Sequence, residues 1–515
     1  MDVKVWTAGI ILGFISFTFG ELSDSSGLIF DESKVYSYYL EFYVDDWENQ
    51  LMINYNNGQE YMPAKFTYGD IVLDSVGVRY KGNSSFTMSQ NTRKKPFKIK
   101  FDKYKDYTFY DLKKLNFSNC VKDPSFMREA ISYKIARRYM PAPRTAFVNL
   151  YMEGDLIGLY IQVEQVDKTF LERYFEDEDF NLYKVGDKGA GLEYLGADQA
   201  LYEAKYELKT NEELNDWSAF IDMIDKLNNT SDDDFAATMS TCLNLRSCIK
   251  ILAFNMVFSH FDSYTGSGRN YYFYDDSTTG QFVMIPWDQN ETFGSYSNNW
   301  NVFTQDVVTI SNLASRPLNR RILENDSLKQ IYLNYIHHMV HGPASLDSVS
   351  AMADQLKPLI ESHVLADQNK LYTDQHFTTN IENDINLGVM GSIPGVKSFS
   401  QKRNTELKIQ LAKYMDPIAI SHTIKKVNGN CSLWNTPNPF NLFTTIHYRV
   451  PDAITDVEIG VYNCNGMHVA ALYKGKQNAG LHSCLWDARH MSPGFYSIKL
   501  TFNDYSLIQK AVIIK

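Results

Sequence analysis

The sequence predicts an α+β domain followed by an all-β sandwich. Strand-like runs fill much of residues 35–101, and helical patterns mix with further strands up to about residue 414. The last stretch, about 85 residues, contains short strand candidates separated by turns every 8–12 residues or so, a spacing typical of β-sandwiches. We therefore expect a signal peptide at 1–20, a larger domain at 21–425 and the sandwich at 430–515.

Composition and charge restrict the class of protein. With 44% apolar residues the 515-residue chain can bury a sizeable core, and a net charge of −11 without a long basic run argues against nucleic acid as the main partner. A Lys followed by an apolar run of about 15 residues predicts a secretory signal peptide cleaved after Gly20, with a buried first helix as the alternative. No other stretch could span a bilayer.

The six cysteines fit an exported protein with one or two disulfides. Cys242 and Cys248 are close enough to pair, and Cys464 could pair with Cys484 across strands near the C-terminus. Their spacing does not suggest zinc, and free buried thiols are the alternative.

Two basic strand segments lie near the N-terminus. In VGVRYKGNSSF the apolar positions alternate with cations up to Lys81, and Gly82, Ser84 and Ser85 belong to a turn whose amides and hydroxyls could cover a phosphate. A plain hairpin turn is the alternative. In KKPFKIKFDKY, Lys98 lies on the opposite face from the apolar residues, as it also would on an ordinary exposed strand face.

Helices are expected at five places. DPSFMREAISYKIARRY opens with Asp123 as a predicted N-cap, followed by Pro, and carries Arg128 and Glu129 either towards a site or on the surface. The apolar run at 245–259 predicts a buried helix, and more helices are expected near 318–342, 346–370 and 398–414. His337 and His341 lie one turn apart, but we interpret them as structural because no metalloprotease pattern surrounds them.

The stretch from Ser259 to Gly294 carries the strongest chemical signal. Two strand-like runs joined by DDSTTG predict a β-hairpin that would bring Asn270 opposite residues 286–288, so that Asp262, Asn270 and Asp288 converge at one end. Carboxylate and amide oxygens suit Mg²⁺ or Mn²⁺, with the remaining carboxylate free to orient a hydroxyl. The alternative is that all three are turn and strand-end residues.

The motifs VGVRYKGNSSF, KKPFKIKFDKY, DPSFMREA, GLYIQVEQVD, NYYFY and PWDQNETFG occur in this order, and residues of about 35–300 resemble the CotH family of secreted, atypical kinase-like proteins. The resemblance implies a kinase-like fold and transfer of the ATP γ-phosphate to Ser or Thr hydroxyls of exported or surface proteins. ATP and Mg²⁺ or Mn²⁺ would then be the cofactors.

The same resemblance implies roles for individual residues. Asp262 matches the catalytic Asp, while Asp288 and Asn270 match the metal ligands. Asn290 stands where the family often has a second acid, and SYTGSGR looks like an insertion between Asp262 and Asn270. The implied nucleotide-binding residues are Lys98 for the phosphates, the phosphate-covering turn of Lys81, Gly82, Ser84 and Ser85, and Glu164 and Val166 at an adenine-binding hinge.

The C-terminal strands resemble the FlgD-type Ig-like domain that ends many exported bacterial proteins, through NTPNPFN, VYNCNGMHVAAL and SPGFYSIKL. In related proteins such a tail is a sorting or attachment module for type IX-like secretion, which implies the secretion machinery as a partner and a secreted or cell-surface location. The alternative function is a catalytically weak pseudokinase that acts as a surface binding or adhesion protein. A glycoside hydrolase finds little support, because no pair of carboxylates stands out as acid and nucleophile.

Overall fold

The order of elements expected from the sequence, an α+β region followed by strands alone, is confirmed. The computed structural model describes residues 25–388, 391–415, 432–450, 455–463, 467–502 and 505–514. The described residues up to Leu411 form one unit, and those from Ala412 form another. The predicted signal peptide at 1–20 and the predicted boundary near 424–430 lie outside the described residues.

The bounds of the elements are as follows. The strands are β1 (Val35–Phe42), β2 (Met62–Tyr68), β3 (Ile71–Tyr80), β4 (Phe97–Lys100), β5 (Lys114–Ser118), β6 (Thr145–Met152), β7 (Asp155–Glu164), β8 (Leu182–Val185), β9 (Tyr206–Leu208), β10 (Tyr271–Asp276), β11 (Gln281–Pro286), β12 (Ile385–Asn386), β13 (Ser392–Ile393), β14 (Ser432–Thr436), β15 (Phe443–Val450), β16 (Thr455–Asn463), β17 (His468–Gln477), β18 (Gly480–Asp487), β19 (Gly494–Phe502) and β20 (Tyr505–Ile513). The helices are α1 (Trp47–Asn56), α2 (Ser84–Met88), α3 (Arg128–Ala136), α4 (Lys168–Tyr174), α5 (Gln199–Glu203), α6 (Ser218–Asn229), α7 (Phe235–Met239), α8 (Leu245–Val257), α9 (Pro317–Glu324), α10 (Asp326–Val340), α11 (Leu346–Ala366), α12 (Asp374–Glu382) and α13 (Val396–Tyr414).

The first strands close into a barrel in the order β1-β2-β3-β4-β5-β7-β6. β1 pairs with β6 in parallel, whereas the consecutive pairs from β1 to β5 are antiparallel. The predicted apolar faces of β3 and β4 are confirmed as barrel core, because Val76, Val78, Phe97 and Ile99 are all buried. A barrel has no free edges, so the positions of its strand ends are fixed by its closure.

The connection between β3 and β4 differs from the alternative of a plain hairpin turn. It contains α2, so the two strands are antiparallel neighbours joined by a long excursion. Gly82 has φ +75° there, and a Cβ at this position would lie 2.6 Å from Ser85 Oγ. The hydroxyl of Tyr55 donates to Gly82 O at 2.7 Å, and Asn83 Nδ2 donates to Asp187 Oδ2 at 2.6 Å, so the turn is held at two points.

The predicted helix start at Asp123 is wrong, because α3 begins at Arg128. The Asp123 carboxylate instead accepts from the backbone N–H of Ser125 at 3.0 Å and of Arg128 at 2.8 Å, and it pairs with the buried Arg128 guanidinium. Asp123 is therefore committed to a turn before the helix.

A second sheet follows the barrel in the order β11-β10-β8-β9, with β10 antiparallel to both neighbours. The buried helix predicted at 245–259 is confirmed as α8. The helix expected at 318–342 is interrupted at Asn325, whose side chain accepts from the N–H of Leu328 at 3.0 Å and caps α10.

The C-terminal unit contains two antiparallel sheets within its described residues, with orders β14-β15-β18 and β17-β16-β19-β20. Trp486 and Ile498 belong to its apolar core.

The expected Cys242–Cys248 disulfide is wrong, because both thiols are free, as are Cys120 and Cys484. Cys464, the predicted partner of Cys484, lies outside the described residues.

Candidate active site

The β10–β11 hairpin has the register predicted from the sequence. Tyr271 pairs with Pro286, and the Trp287 N–H donates to Asn270 O at 3.0 Å. Asn270 and Asp288 therefore lie side by side at the end of the hairpin, immediately before one strand and after the other.

Asp262 joins this end of the hairpin from the loop after α8. Asn270 Nδ2 donates to Asp262 Oδ2 at 3.0 Å and to Asp262 O at 2.6 Å. Because the amide nitrogen is engaged by Asp262, the amide oxygen of Asn270 is the atom that remains for a metal ion. The longer spacing between the two residues does not prevent their approach.

Both Asn270 and Asp288 have left-handed backbone conformations, with φ of 61° and 52°. Such conformations are uncommon outside glycine, cost free energy and are often found at functional sites. Asn and Asp adopt this conformation more readily than other residue types, and here it turns the chain immediately before β10 and after β11.

A small cleft lies between the barrel and this end of the hairpin. It brings together five of the sequence-predicted residues, Lys81, Gly82, Ser85, Asp288 and Asn290. The other residues that line it are Pro96, Ser118, Asn119, Glu129, Val163 and Trp287.

Lys81 is the cation of this cleft. Its Nζ lies 5.7 Å from the centre of the Trp287 ring. Burial lowers the pKa of Lys81, while the nearby carboxylates of Asp288 and Glu129 act in the opposite direction. The Lys81 side chain is half-buried, and its ammonium lies near the carboxyl groups of Asp288 and Glu129.

The acids of the cleft are difficult to ionise together. Burial raises the pKa of Asp288, and burial together with the neighbouring Asp288 raises the pKa of Glu129 to about 8. One Glu129 oxygen, Oε2, is buried without a hydrogen-bond partner. A bound cation would favour ionisation of both groups, which is the electrostatic condition expected of a metal-binding cleft.

Lys98, which the sequence favours as the phosphate-binding Lys, does not line the cleft within the described structure. Its Nζ donates to Gln165 Oε1 at 2.7 Å, and burial together with Lys114 and Lys81 lowers its pKa well below the usual range. Ser84, at the exposed start of α2, does not line the cleft either. Of these two lysines, Lys81 lines the cleft in the described structure and Lys98 does not.

The side chains of the predicted adenine-binding hinge are committed elsewhere. Glu164 is buried between Arg144 Nη2 at 2.7 Å and Arg173 Nη2 at 2.6 Å. Val166 packs into an apolar cluster with Phe170. Neither the Glu164 carboxylate nor the Val166 side chain is therefore available to contact a nucleotide.

Two functional candidates, His260 and Glu291, were not among the site residues predicted from the sequence. His260 is buried two residues before Asp262, and burial lowers its pKa to about 4, so the imidazole is neutral at neutral pH. Glu291, in the PWDQNE motif, is buried and pairs with Lys122 Nζ at 2.5 Å, and burial raises its pKa to about 7. The position of Glu291 in the motif was a signal, but nothing in the sequence indicated its burial.

The donor set fits a divalent metal held partly by a nucleotide. The described part of the chain contains no group of three or more His, Cys, Asp or Glu side chains arranged to hold a metal ion. Mg²⁺ commonly takes one or two carboxylates from the protein and the rest of its ligands from substrate phosphates and water. Asp288 and the amide oxygen of Asn270 are suited to such a partial site.

Comparison with known proteins gives three findings. The family model described as CotH kinase protein matches residues 78–407, and the model described as secretion system C-terminal sorting domain matches residues 436–515. The chain is also similar to inner spore coat protein H of Bacillus subtilis (strain 168), with 25% identity over 313 residues that cover 58% of this chain and 81% of the relative. Apart from these comparisons, none of the described helices combines the length and apolar character that crossing a membrane requires.

Proposed function

Because the chain belongs to the CotH kinase family, we propose that it is an exported, metal-dependent protein kinase that transfers the γ-phosphate of ATP to Ser or Thr hydroxyls of exported or surface proteins. The observation that carries this proposal is the approach of Asp262, Asn270 and Asp288 at one end of a hairpin, beside a cleft that contains Lys81.

The proposed mechanism follows from these positions. Asp262 orients the acceptor hydroxyl and takes its proton as the hydroxyl oxygen attacks the γ-phosphorus and the bond to the leaving ADP oxygen breaks. Lys81 stabilises negative charge on the phosphates. Asp288 and Asn270 would hold a divalent ion, which neutralises phosphate charge when bound. Positioning and electrostatics supply most of the rate enhancement in such a site.

The sorting domain supports export and a secreted or cell-surface location. We propose that its partner is the secretion machinery, and that the protein substrates are exported or displayed on the same surface. The net charge of −11 gives no support for a nucleic-acid partner.

A second candidate is a pseudokinase that acts as a surface binding protein. It is favoured by Asn290, which lines the cleft where the family often has an acid and brings no charge to the metal. The two candidate functions require the same fold and the same sorting domain. They are distinguished by whether the protein transfers phosphate from ATP.

Metal-dependent nucleotide binding tests the proposed site. The full chain should bind ATP in the presence of Mg²⁺ or Mn²⁺ and bind it much less when the metal is chelated. Asp288→Asn should remove the metal-dependent part of the affinity. Asp275→Asn, a change on the same hairpin but on strand β10, is the matched control and should bind normally. Metal-independent binding, or none, would contradict the proposal.

A further inference from the structure

The loop between Asp262 and Asn270 is a compact, largely buried segment, residues 263–269, which we call the catalytic loop insert. Its turns are closed by hydrogen bonds from Ser267 N to Phe261 O at 3.0 Å and from Gly268 N to Ser263 O at 2.9 Å. A Cβ at Gly266 would lie 1.9 Å from Phe261 O, so only glycine fits at this point. The insert is therefore folded tightly back on the residues next to Asp262.

The guanidinium of Arg316 holds the middle of the insert from outside. Arg316 Nε donates to Tyr264 O at 2.6 Å, and Nη2 donates to Gly266 O at 2.7 Å. Buried backbone carbonyls require partners, and a planar guanidinium can satisfy two of them at a fixed separation. Arg316 precedes α9, and Nη1 also donates to Ser315 O at 2.7 Å.

Asn312 donates to the Thr265 carbonyl, which lies between the two carbonyls that Arg316 binds. Its Nδ2 donates to Thr265 O at 2.9 Å and to Gly266 O at 3.1 Å. Three consecutive carbonyls of the insert thus accept hydrogen bonds from one short segment, 312–316. The insert does not depend on its own few internal bonds alone.

The end of the insert leads directly to Asn270. Gly268 O accepts from the Ala190 N–H at 2.8 Å, and two residues later Asn270 reaches Asp262 Oδ2 with the left-handed backbone described above. Arg316 donates to the insert and to Ser315, and not to Asp262 or Asn270, so any effect on those two residues passes through the loop.

We propose that Arg316, with Asn312, is a positioning residue that fixes Asn270 against Asp262 and so sets the affinity of the site for the metal–nucleotide complex. The part of the inference that concerns metal–nucleotide affinity rests on the proposed function. The part that concerns the fixing of the insert depends on the fold alone and can be measured without a nucleotide.

The test compares Arg316→Ala and Arg316→Lys with the control Arg321→Ala in the full chain. Arg321 lies on α9 and donates to Thr230 O at 2.6 Å and to Ser231 O at 3.2 Å. It also pairs with Asp232 Oδ1 at 2.5 Å, so its loss removes at least as many bonds, but from a different loop. We expect Arg316→Ala to raise the Mn²⁺ concentration for half-maximal ATP binding by about 10–100-fold, the range seen when groups that orient metal ligands are removed. Arg316→Lys, which keeps the charge but not the fork, should lie between it and wild type, and Arg321→Ala should match wild type.

Hydrogen–deuterium exchange of residues 259–271 provides the readout that does not need the nucleotide. Arg316→Ala should accelerate exchange in this segment, whereas Arg321→Ala should not. An unchanged segment in Arg316→Ala, an unchanged metal requirement, or an equal rise in Arg321→Ala would overturn the inference. If wild-type protein bound no metal–nucleotide complex, the proposed function and the affinity claim would fail together, while the exchange comparison would still decide whether Arg316 fixes the insert.

Discussion

Asn270 Nδ2 lies 3.0 Å from Asp262 Oδ2, although the two residues are eight positions apart in the sequence. The kinase-like pattern spaces the corresponding residues about five apart. The extra residues form a buried loop that returns the chain to the same place, so the longer spacing is no argument against a working site.

Asn290 offers a gain-of-function prediction. It lines the cleft with Asp288 but carries no charge. Asn290→Asp should strengthen metal-dependent ATP binding because a second carboxylate adds attraction for the divalent ion. Titration of Mn²⁺ at fixed ATP should show a lower half-maximal concentration in Asn290→Asp than in wild type, and a higher one would contradict the placement of Asn290 at the metal.

Lys81 and Lys98 make opposite predictions for the phosphate-facing cation. Lys81→Met should weaken ATP binding and reduce phosphate transfer by about 100-fold or more, as loss of a single electrostatic stabiliser of the transition state typically does. Lys98→Met should have a much smaller effect, because its ammonium is bound to Gln165. Measuring ATP binding and turnover for both variants distinguishes the two lysines, and a larger loss in Lys98→Met would support the assignment made from the sequence.

Glu129 predicts a pH-dependent stability. Its folded-state pKa is raised from 4.5 to about 8, so the folded protein keeps a proton that the unfolded chain releases. This contribution to stability is present below pH 4.5 and is lost as pH rises to about 8. The slope for one such group is at most about 1.4 kcal/mol per pH unit.

Urea unfolding at several pH values between 5 and 8 checks this prediction. Glu129→Gln, which is neutral throughout, should lose part of the wild-type decline in the free energy of unfolding. Glu41→Gln, at an exposed carboxylate on β1, is the control and should keep the wild-type decline. Parallel curves for wild type and Glu129→Gln would show that Glu129 is not the group responsible.

The buried ion pair of Lys94 and Asp367 predicts a large effect on stability. Both side chains are fully buried, and Asp367 also accepts from the Leu159 N–H on β7 at 3.1 Å. Lys94→Met should lower the free energy of unfolding by about 3–5 kcal/mol, because it leaves a buried charge unpaired.

Adding Asp367→Asn to Lys94→Met should recover part of that loss, since the unpaired charge is removed. Urea unfolding of both variants against wild type measures the difference. The exposed pair of Lys65 and Glu41 provides the control, and Lys65→Met should lower the free energy of unfolding much less than Lys94→Met does. A double variant no more stable than Lys94→Met would contradict this explanation.

The parts of the fold that could be predicted depend on local pattern. A few neighbouring residues are enough to predict three of its elements. These are the strand that contains Val76 and Val78, the buried helix α8 and the turn after Asp276. The start of α3 could not be predicted in this way, because Asp123 has a buried arginine as partner and serves a turn instead of a cap.

The candidate site was predictable to a similar extent. Asp262, Asn270 and Asp288 follow from the hairpin, whose register the sequence determines. The choice between Lys81 and Lys98 depends on how α2 fills the connection between β3 and β4, and the roles of Glu129 and Glu291 depend on burial by distant elements. The position of Lys81 and the burial of Glu129 and Glu291 arise from tertiary packing, which a local sequence pattern does not predict.

Phosphate transfer by the full chain tests the central claim most directly. The protein would be incubated with γ-labelled ATP and Mn²⁺ or Mg²⁺, alongside Asp262→Asn, and label would be measured on the protein itself and on a generic acceptor. We predict label in wild type, none in Asp262→Asn, and nearly equal ATP binding in both. Equal labelling in Asp262→Asn, or ATP bound by wild type without any transfer, would contradict the proposed kinase.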